Sequence, residues 1–105
     1  MGRRLENLIF LHLRRKYKHI FYYKDKGECD FITMEKNTVK EAIQVCLTIN
    51  DENFDREFNG LLGAMQNLGL KEGYIVTLNQ SDLFEKEDMT IKMLPVHDFF
   101  EIIVL

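Results

Sequence analysis

GECDF at residues 27–31 and EAIQVC at residues 41–46 are the stretches on which the reading of this chain turns. Both read as strands, in which side chains alternate between faces. The first then sends Glu28, Asp30 and Ile32 one way and Cys29 and Phe31 the other. The second sends Ala42, Gln44 and Cys46 one way and Ile43 and Val45 the other. With Phe31, Ile43 and Val45 turned to a core, neighbouring strands bring Asp30, Gln44 and Cys46 out on a common face. The same parity puts Cys29 and Cys46 on opposite faces and argues against a disulfide.

The flanking sequence supplies the rest of an α/β domain. Leu5, Leu8, Ile9, His12 and Leu13 recur at helical spacing and predict a helix over Gly2–Tyr17. Glu6 falls on its apolar face, where a carboxylate needs a partner such as Arg3 or a site role. A β-branched and aromatic run predicts a strand over His19–Lys24, and Asp25-Lys26-Gly27 a turn with Gly27 free for positive φ. Strands follow over Glu28–Met34 and Val39–Ile49, completing a meander. Asn50 or Asp51 is read as the cap of a second helix, which carries acids in its first turns and ends at Gly69. Gly60 and Gly63 lower its propensity by about 1 kcal/mol each, which points to close packing on the sheet. A strand over Gly73–Leu78, an acidic loop over Asn79–Asp88, a strand over Thr90–Val96 and a helix over Asp98–Leu105 close the chain. The expectation is one domain over residues 1–105, a mixed sheet flanked by helices.

Composition fits a soluble globular protein, with 46% hydrophobic and 30% charged residues. No apolar run approaches the length of a membrane span, and the early charges at Arg3 and Arg4 are unlike a signal peptide. Two cysteines without metal-ligand spacing predict reduced thiols and a cytoplasmic protein. The net charge of −3 conceals an asymmetry, since residues 1–26 hold eight Lys/Arg against two acids. Arg3, Arg4, Arg14, Arg15, Lys16 and Lys18 form a candidate contact with DNA or RNA, whose phosphates dominate nonspecific affinity. An ordinary solvated helix, its last turn matched to the helix dipole, explains the same residues.

An acidic residue after a turn, followed beyond a hairpin by an apolar-flanked D/E-x-K, is the signature of the PD-(D/E)XK nucleases. Asp30 and the run Gln44-Val45-Cys46 resemble it, with glutamine in place of the second acid and cysteine in place of the lysine. Nearly the whole chain is similar to a narrower family. GRRLENLIFLHLRR (2–15), YYKDKGECDF (22–31), AIQVCLTINDENFDREFNGLLGAM (42–65) and IKMLP (91–95) resemble the nuclease-like C-terminal domain of a family of prokaryotic AAA-type ATPases. That resemblance implies a restriction-endonuclease-like α-β-β-β-α-β core, with one further strand and a C-terminal helix. It also implies a catalytic set at Glu6, Asp30, Gln44 and Cys46. Glu6, Asp30 and Gln44 are the implied ligands of weakly held Mg²⁺ or Mn²⁺, with the Val45 carbonyl beside them. A thiol at residue 46 offers no cation to a phosphoryl transition state, so Lys24, Lys26 or Lys40 must stand in if the site works. His12, His19 and His97 are not placed to activate a thiol nucleophile. No phosphate-binding G-x-x-x-x-G-K-S/T is present, so an ATPase module is expected outside the chain, which reads as an excised domain or a stand-alone relative. Three functions follow: a degenerate nuclease fold that senses nucleic acid or a target for an ATPase, an active metal-dependent endonuclease, or a protein-interaction or homodimerisation domain.

Overall fold

The computed structural model describes residues 2–103, so the predicted C-terminal positions Val104 and Leu105 lie outside the described residues. The elements run α1 (Gly2–Arg14), β1 (His19–Lys24), β2 (Glu28–Glu35), β3 (Thr38–Val45), α2 (Phe54–Leu68), β4 (Glu72–Thr77), β5 (Asp82–Lys86), β6 (Met89–Pro95) and α3 (Val96–Ile102). They build one six-stranded mixed sheet in the order β1-β2-β3-β4-β6-β5. The first three strands form an antiparallel meander, and α2 crosses over to set β4 parallel to β3. β6 is parallel to β4 and antiparallel to β5.

Strand alternation divides the core into two layers. Ala42 and Ile75 pack beneath Leu61, Leu62 and Met65 of α2. Ile43, Val45, Tyr74 and Val76 face the other way, against Leu5, Ile9 and Leu13 of α1 and Phe99 of α3. The expected grouping of Phe31 with Ile43 and Val45 is borne out. No helix among the described residues is long and apolar enough to cross a membrane.

Several boundaries differ from the sequence reading. The predicted acidic loop contains β5, an edge strand whose charges suit an unpaired edge and whose Phe84 packs against Phe54 and Phe58 at ring separations of 5.3 and 5.4 Å. β3 leaves the regular ladder after Val45, although the Cys46 amide still reaches the Val76 carbonyl at 3.0 Å. Asn53, rather than Asn50 or Asp51, is the α2 cap residue; Asn50 and Asn53 bind each other's main-chain N–H groups in the preceding turn. Helix α1 ends at Arg14, where Lys16 and Tyr17 turn back onto the Leu13 carbonyl.

Two backbone features shape the meander and its seat on α2. Lys36 and Asn37, both at positive φ, form the two-residue β2–β3 turn. Gly27 takes no positive φ; its need is steric. A Cβ at Gly27 would lie 2.4 Å from the Gly60 carbonyl, and one at Gly63 would lie 2.4 Å from the Lys26 carbonyl. The helix therefore rests on the start of β2 through bare backbone, as the glycine spacing predicts. Gly69 ends α2 at φ 74°, also as predicted.

Candidate functional site

The chemistry of the central stretches depends on an irregularity in β2. Phe21 pairs with Ile32 and Tyr23 with Cys29, so two residues of β2, Asp30 and Phe31, stand opposite Tyr22 alone. This bulge reverses the parity of what precedes it. Cys29 enters the α2-side core beside Ile32, whereas Phe31 packs on the α1 side. The expectation that Cys29 shares a face with Phe31 fails for this reason. Cys46 accepts from the Asn53 amide ahead of α2, so the opposite-face argument for the two thiols fails as well. Both cysteines are free.

The paired register of β2 and β3 ends at Phe31–Ile43, and side chains take over where it stops. The Val45 N–H donates to Asp30 Oδ2 at 2.8 Å, and the Asp30 N–H donates to Gln44 Oε1 at 3.1 Å. Gln44 Nε2 donates to the Glu28 carbonyl at 2.9 Å and to the Glu57 carbonyl of α2 at 3.1 Å. Gln44 is 3% exposed, and its amide oxygen and both of its N–H groups are engaged. This seam joins three elements through one side chain.

Glu28, Asp30, Gln44, Arg56 and Glu57 line a cavity of about 170 Å³ over the seam. The predicted meeting of Asp30 and Gln44 is therefore observed. Burial pushes the Asp30 carboxyl up to about 6, against the Val45 hydrogen bond that lowers it, and the charges of Glu6, Glu57 and Glu28 add to the rise. Burial raises Glu57 too, with Arg56 opposing. Cys46 is outside the cavity lining, and burial followed by the Glu57 charge raises its thiol, so it is held neutral. Glu6 lies beside a separate cavity with Arg3, Asn7, Phe10 and Phe31, within electrostatic reach of Asp30.

A hard divalent cation needs several free oxygens at one point, and the cavity offers the carboxylates of Glu28, Asp30 and Glu57. Gln44 Oε1 and Asp30 Oδ2 already accept main-chain hydrogen bonds, and Glu6 faces another cavity. Among the described residues no three His, Cys, Asp or Glu side chains are grouped to hold a metal ion. Lys24, Lys26 and Lys40 are exposed and none lines the cavity. The cation there is Arg56, the single Lys or Arg between residues 41 and 70. That isolation within an acidic helix start was the signal available for it. Glu57 is one of the acids of the first turn of α2, and its approach to the seam depends on how α2 docks.

The six basic residues Arg3, Arg4, Arg14, Arg15, Lys16 and Lys18 are all exposed along α1 and the turn after it. The Arg14 guanidinium donates to the Lys18 carbonyl at 3.0 Å, fixing that turn. His12, read as part of the apolar stripe, stacks on Phe100 and bonds the Ile103 carbonyl at 2.8 Å, joining α1 to α3.

No family model and no solved structure matches the chain. An uncharacterized protein of Methanocaldococcus jannaschii, MJ1544, is 40% identical over 91 residues, which cover 81% of this chain and 20% of that protein. The chain thus spans about a fifth of the length of the relative it matches.

Proposed function

We propose that this is a nuclease-like domain of the PD-(D/E)XK type with a degenerate site, acting as a nucleic-acid-sensing or target-sensing module of a longer AAA-type ATPase. The observation that carries the reading is the use made of Gln44. It occupies the position of the motif's second acid, at a seam with Asp30, yet spends both amide N–H groups on the Glu28 and Glu57 carbonyls. A carboxylate has no hydrogen to give either carbonyl. Residue 44 is thereby a strut between β2 and α2, and the neutral Cys46 supplies no charge to a developing phosphorane.

Two further observations support it. The order α1-β1-β2-β3-α2-β4, with an antiparallel meander and a crossover to a parallel strand, is the order the restriction-endonuclease-like reading requires. The relative's length, four-fifths of it outside the match, leaves room for an ATPase module.

A plasmid-nicking assay with Mg²⁺ and Mn²⁺ tests the degenerate site. The expected result is no cleavage above a metal-free control. Robust cleavage that disappears in Asp30→Ala would establish an active endonuclease instead. A second reading, a protein-interaction or dimerisation domain, is favoured by the groove of about 320 Å³ between α1 and α3, where Leu8 and Leu11 are 48% and 54% exposed beside Phe100. Sedimentation of the isolated chain with and without an oligonucleotide separates the two, since binding of the oligonucleotide supports the sensing module and self-association without such binding supports the second reading.

A further inference from the structure

Helix α1 carries two apolar stripes. Leu5, Ile9 and Leu13 enter the core. Leu8 and Leu11 lie about 130° around the helix from them and are exposed. Arg4 and Arg15, four residues before Leu8 and four after Leu11, fall on the same line, so the outer stripe reads Arg-Leu-Leu-Arg at spacings of four, three and four. That is the spacing of a seam that packs against another helix.

Phe100 of α3 walls the stripe on one side, and Leu8, Leu11, His12, Arg15 and Phe100 together line the α1–α3 groove. His12 fixes that groove, stacked on Phe100 at 4.3 Å and bonded to the Ile103 carbonyl. The charge around it has one sign. Residues 7–24 contain no Asp or Glu, and Glu6 lines the cavity on the other flank of α1. On α3, Asp98 and Glu101 are turned from Phe100 by about 100° or more. No ion pair among the described residues involves Arg4 or Arg15.

We propose that the α1–α3 groove docks an amphipathic helix of a partner protein, one whose apolar centre is flanked by acidic residues. Leu8, Leu11 and Phe100 take the partner's apolar side chains, and Arg4 and Arg15 take its carboxylates. A second copy of this chain is a poor occupant. With the leucines in register, parallel or antiparallel, Arg4 and Arg15 meet arginine, and like charges across an interface disfavour association. A nucleic-acid backbone, charged along its whole length, gives the two leucines no partner. The proposal rests on the interaction reading of the groove given above and is independent of the state of the nuclease-like site.

The test is fluorescence anisotropy of the full chain with a labelled, alanine-rich helical peptide about 18 residues long, enough to span the stripe. The peptide repeats the stripe's spacing as Glu-Leu-Leu-Glu, and two controls replace its glutamates by lysine or its leucines by alanine. The glutamate peptide should bind at least about tenfold more tightly than either control, and its advantage over the lysine peptide should shrink as salt rises. The double variant Arg4→Glu, Arg15→Glu should invert the preference between the two charged peptides. Leu11→Ser should weaken binding about tenfold. Equal affinity for the glutamate and lysine peptides would overturn the acidic partner. A dimer that Leu11→Ser dissociates would overturn it in favour of a second copy, with the interaction reading intact. An oligonucleotide held through Arg4 and Arg15, with no peptide bound, would overturn it by assigning the stripe to nucleic acid. Peptide binding that appears only after removal of Val104 and Leu105 would overturn it by giving the groove to the chain's own end. Binding of no peptide by a chain that sediments as a monomer would overturn both the proposal and the interaction reading.

Discussion

The side-chain amide of Gln44 donates to the main-chain carbonyl of Glu57 at 3.1 Å, tying the end of β3 to the first turns of α2. The same nitrogen donates to the Glu28 carbonyl at 2.9 Å, so one buried group closes the gap where β2 and β3 stop pairing.

Gln44→Glu removes both donated bonds and buries a charge beside Glu28, Asp30 and Glu57. Losing one partner of a buried hydrogen bond costs about 1–3 kcal/mol, and an unpaired buried charge adds to it. The variant should lose at least about 3 kcal/mol at pH 8 by urea denaturation, with part regained near pH 5 as the carboxyl protonates. A variant as stable as the parent at pH 8 would contradict the strut role.

Gly63→Ala tests the helix–turn contact. Helix propensity alone favours alanine by about 1 kcal/mol. The new Cβ would sit 2.4 Å from the Lys26 carbonyl, however, and the atoms it meets are all backbone rather than the end of a flexible side chain. Overpacking of this kind costs about 1–3 kcal/mol, so net destabilisation is expected. Circular dichroism melts should show a lower Tm for Gly63→Ala and for Gly27→Ala. A raised Tm in either would show that the contact yields easily.

The layers of the fold were legible because periodicity survives in single elements. Leu5, Ile9 and Leu13 mark the α1 face, Ile43 and Val45 mark β3, and Gly69 marks the end of α2. β5 was hidden because Phe84 alone anchors a strand otherwise made of charges and an exposed Leu83, a pattern that reads as loop. The pairing of Asp30 with Gln44 was also legible, although alternation alone described it incorrectly. The bulge at Asp30–Phe31 has no glycine or proline to announce it, and it turns Cys29 to the face opposite Phe31. Arg56 and Glu57 reach the seam only because the Gly60 and Gly63 contacts set the docking of α2, a tertiary relationship that no local pattern encodes.

Asp30 should make stability depend on pH in a defined window. Its carboxyl rises from an ordinary 3.8 to about 6 in the folded chain. The native state therefore binds the proton more tightly than the unfolded state does. The resulting stability is fully present below about pH 4 and is lost as pH rises through about 6. The shift corresponds to at most about 3 kcal/mol, and partial solvent access reduces it to about 1–2 kcal/mol. Asp30→Asn, whose side-chain oxygen still accepts from Val45, should match the parent at pH 3.5 and exceed it by about 1–2 kcal/mol at pH 8. Parallel stability–pH curves for the two proteins would refute the assignment.

The cysteines should differ in reactivity. Burial pushes the Cys29 thiol up to about 12, and its sulfur donates to the Ile43 carbonyl at 3.3 Å within the α2-side core. Only the thiolate alkylates readily, so Cys29 should resist iodoacetamide at pH 8 until the chain unfolds. Cys46 is half-buried with its thiol also raised, and should label slowly in the folded chain. Mass spectrometry of native and urea-treated protein reads both sites, and rapid native labelling of Cys29 would be inconsistent with its burial.

Divalent ions give the last test, because they act on the folded state whether or not any strand is cut. An ion present at a hundred times its dissociation constant stabilises the state it binds by about 2.7 kcal/mol, which is about 10 °C or more in Tm for a domain of this size. The seam engages two of the implied ligand oxygens, Gln44 Oε1 with the Asp30 N–H and Asp30 Oδ2 with the Val45 N–H. Millimolar Mg²⁺ or Mn²⁺ should therefore shift Tm by no more than a matched increase in ionic strength does. A rise well beyond the salt control that vanishes in Asp30→Asn would place an ion at the seam. Gln44 would then have to exchange its bond to the Asp30 N–H for the metal, and the strut would be a switch.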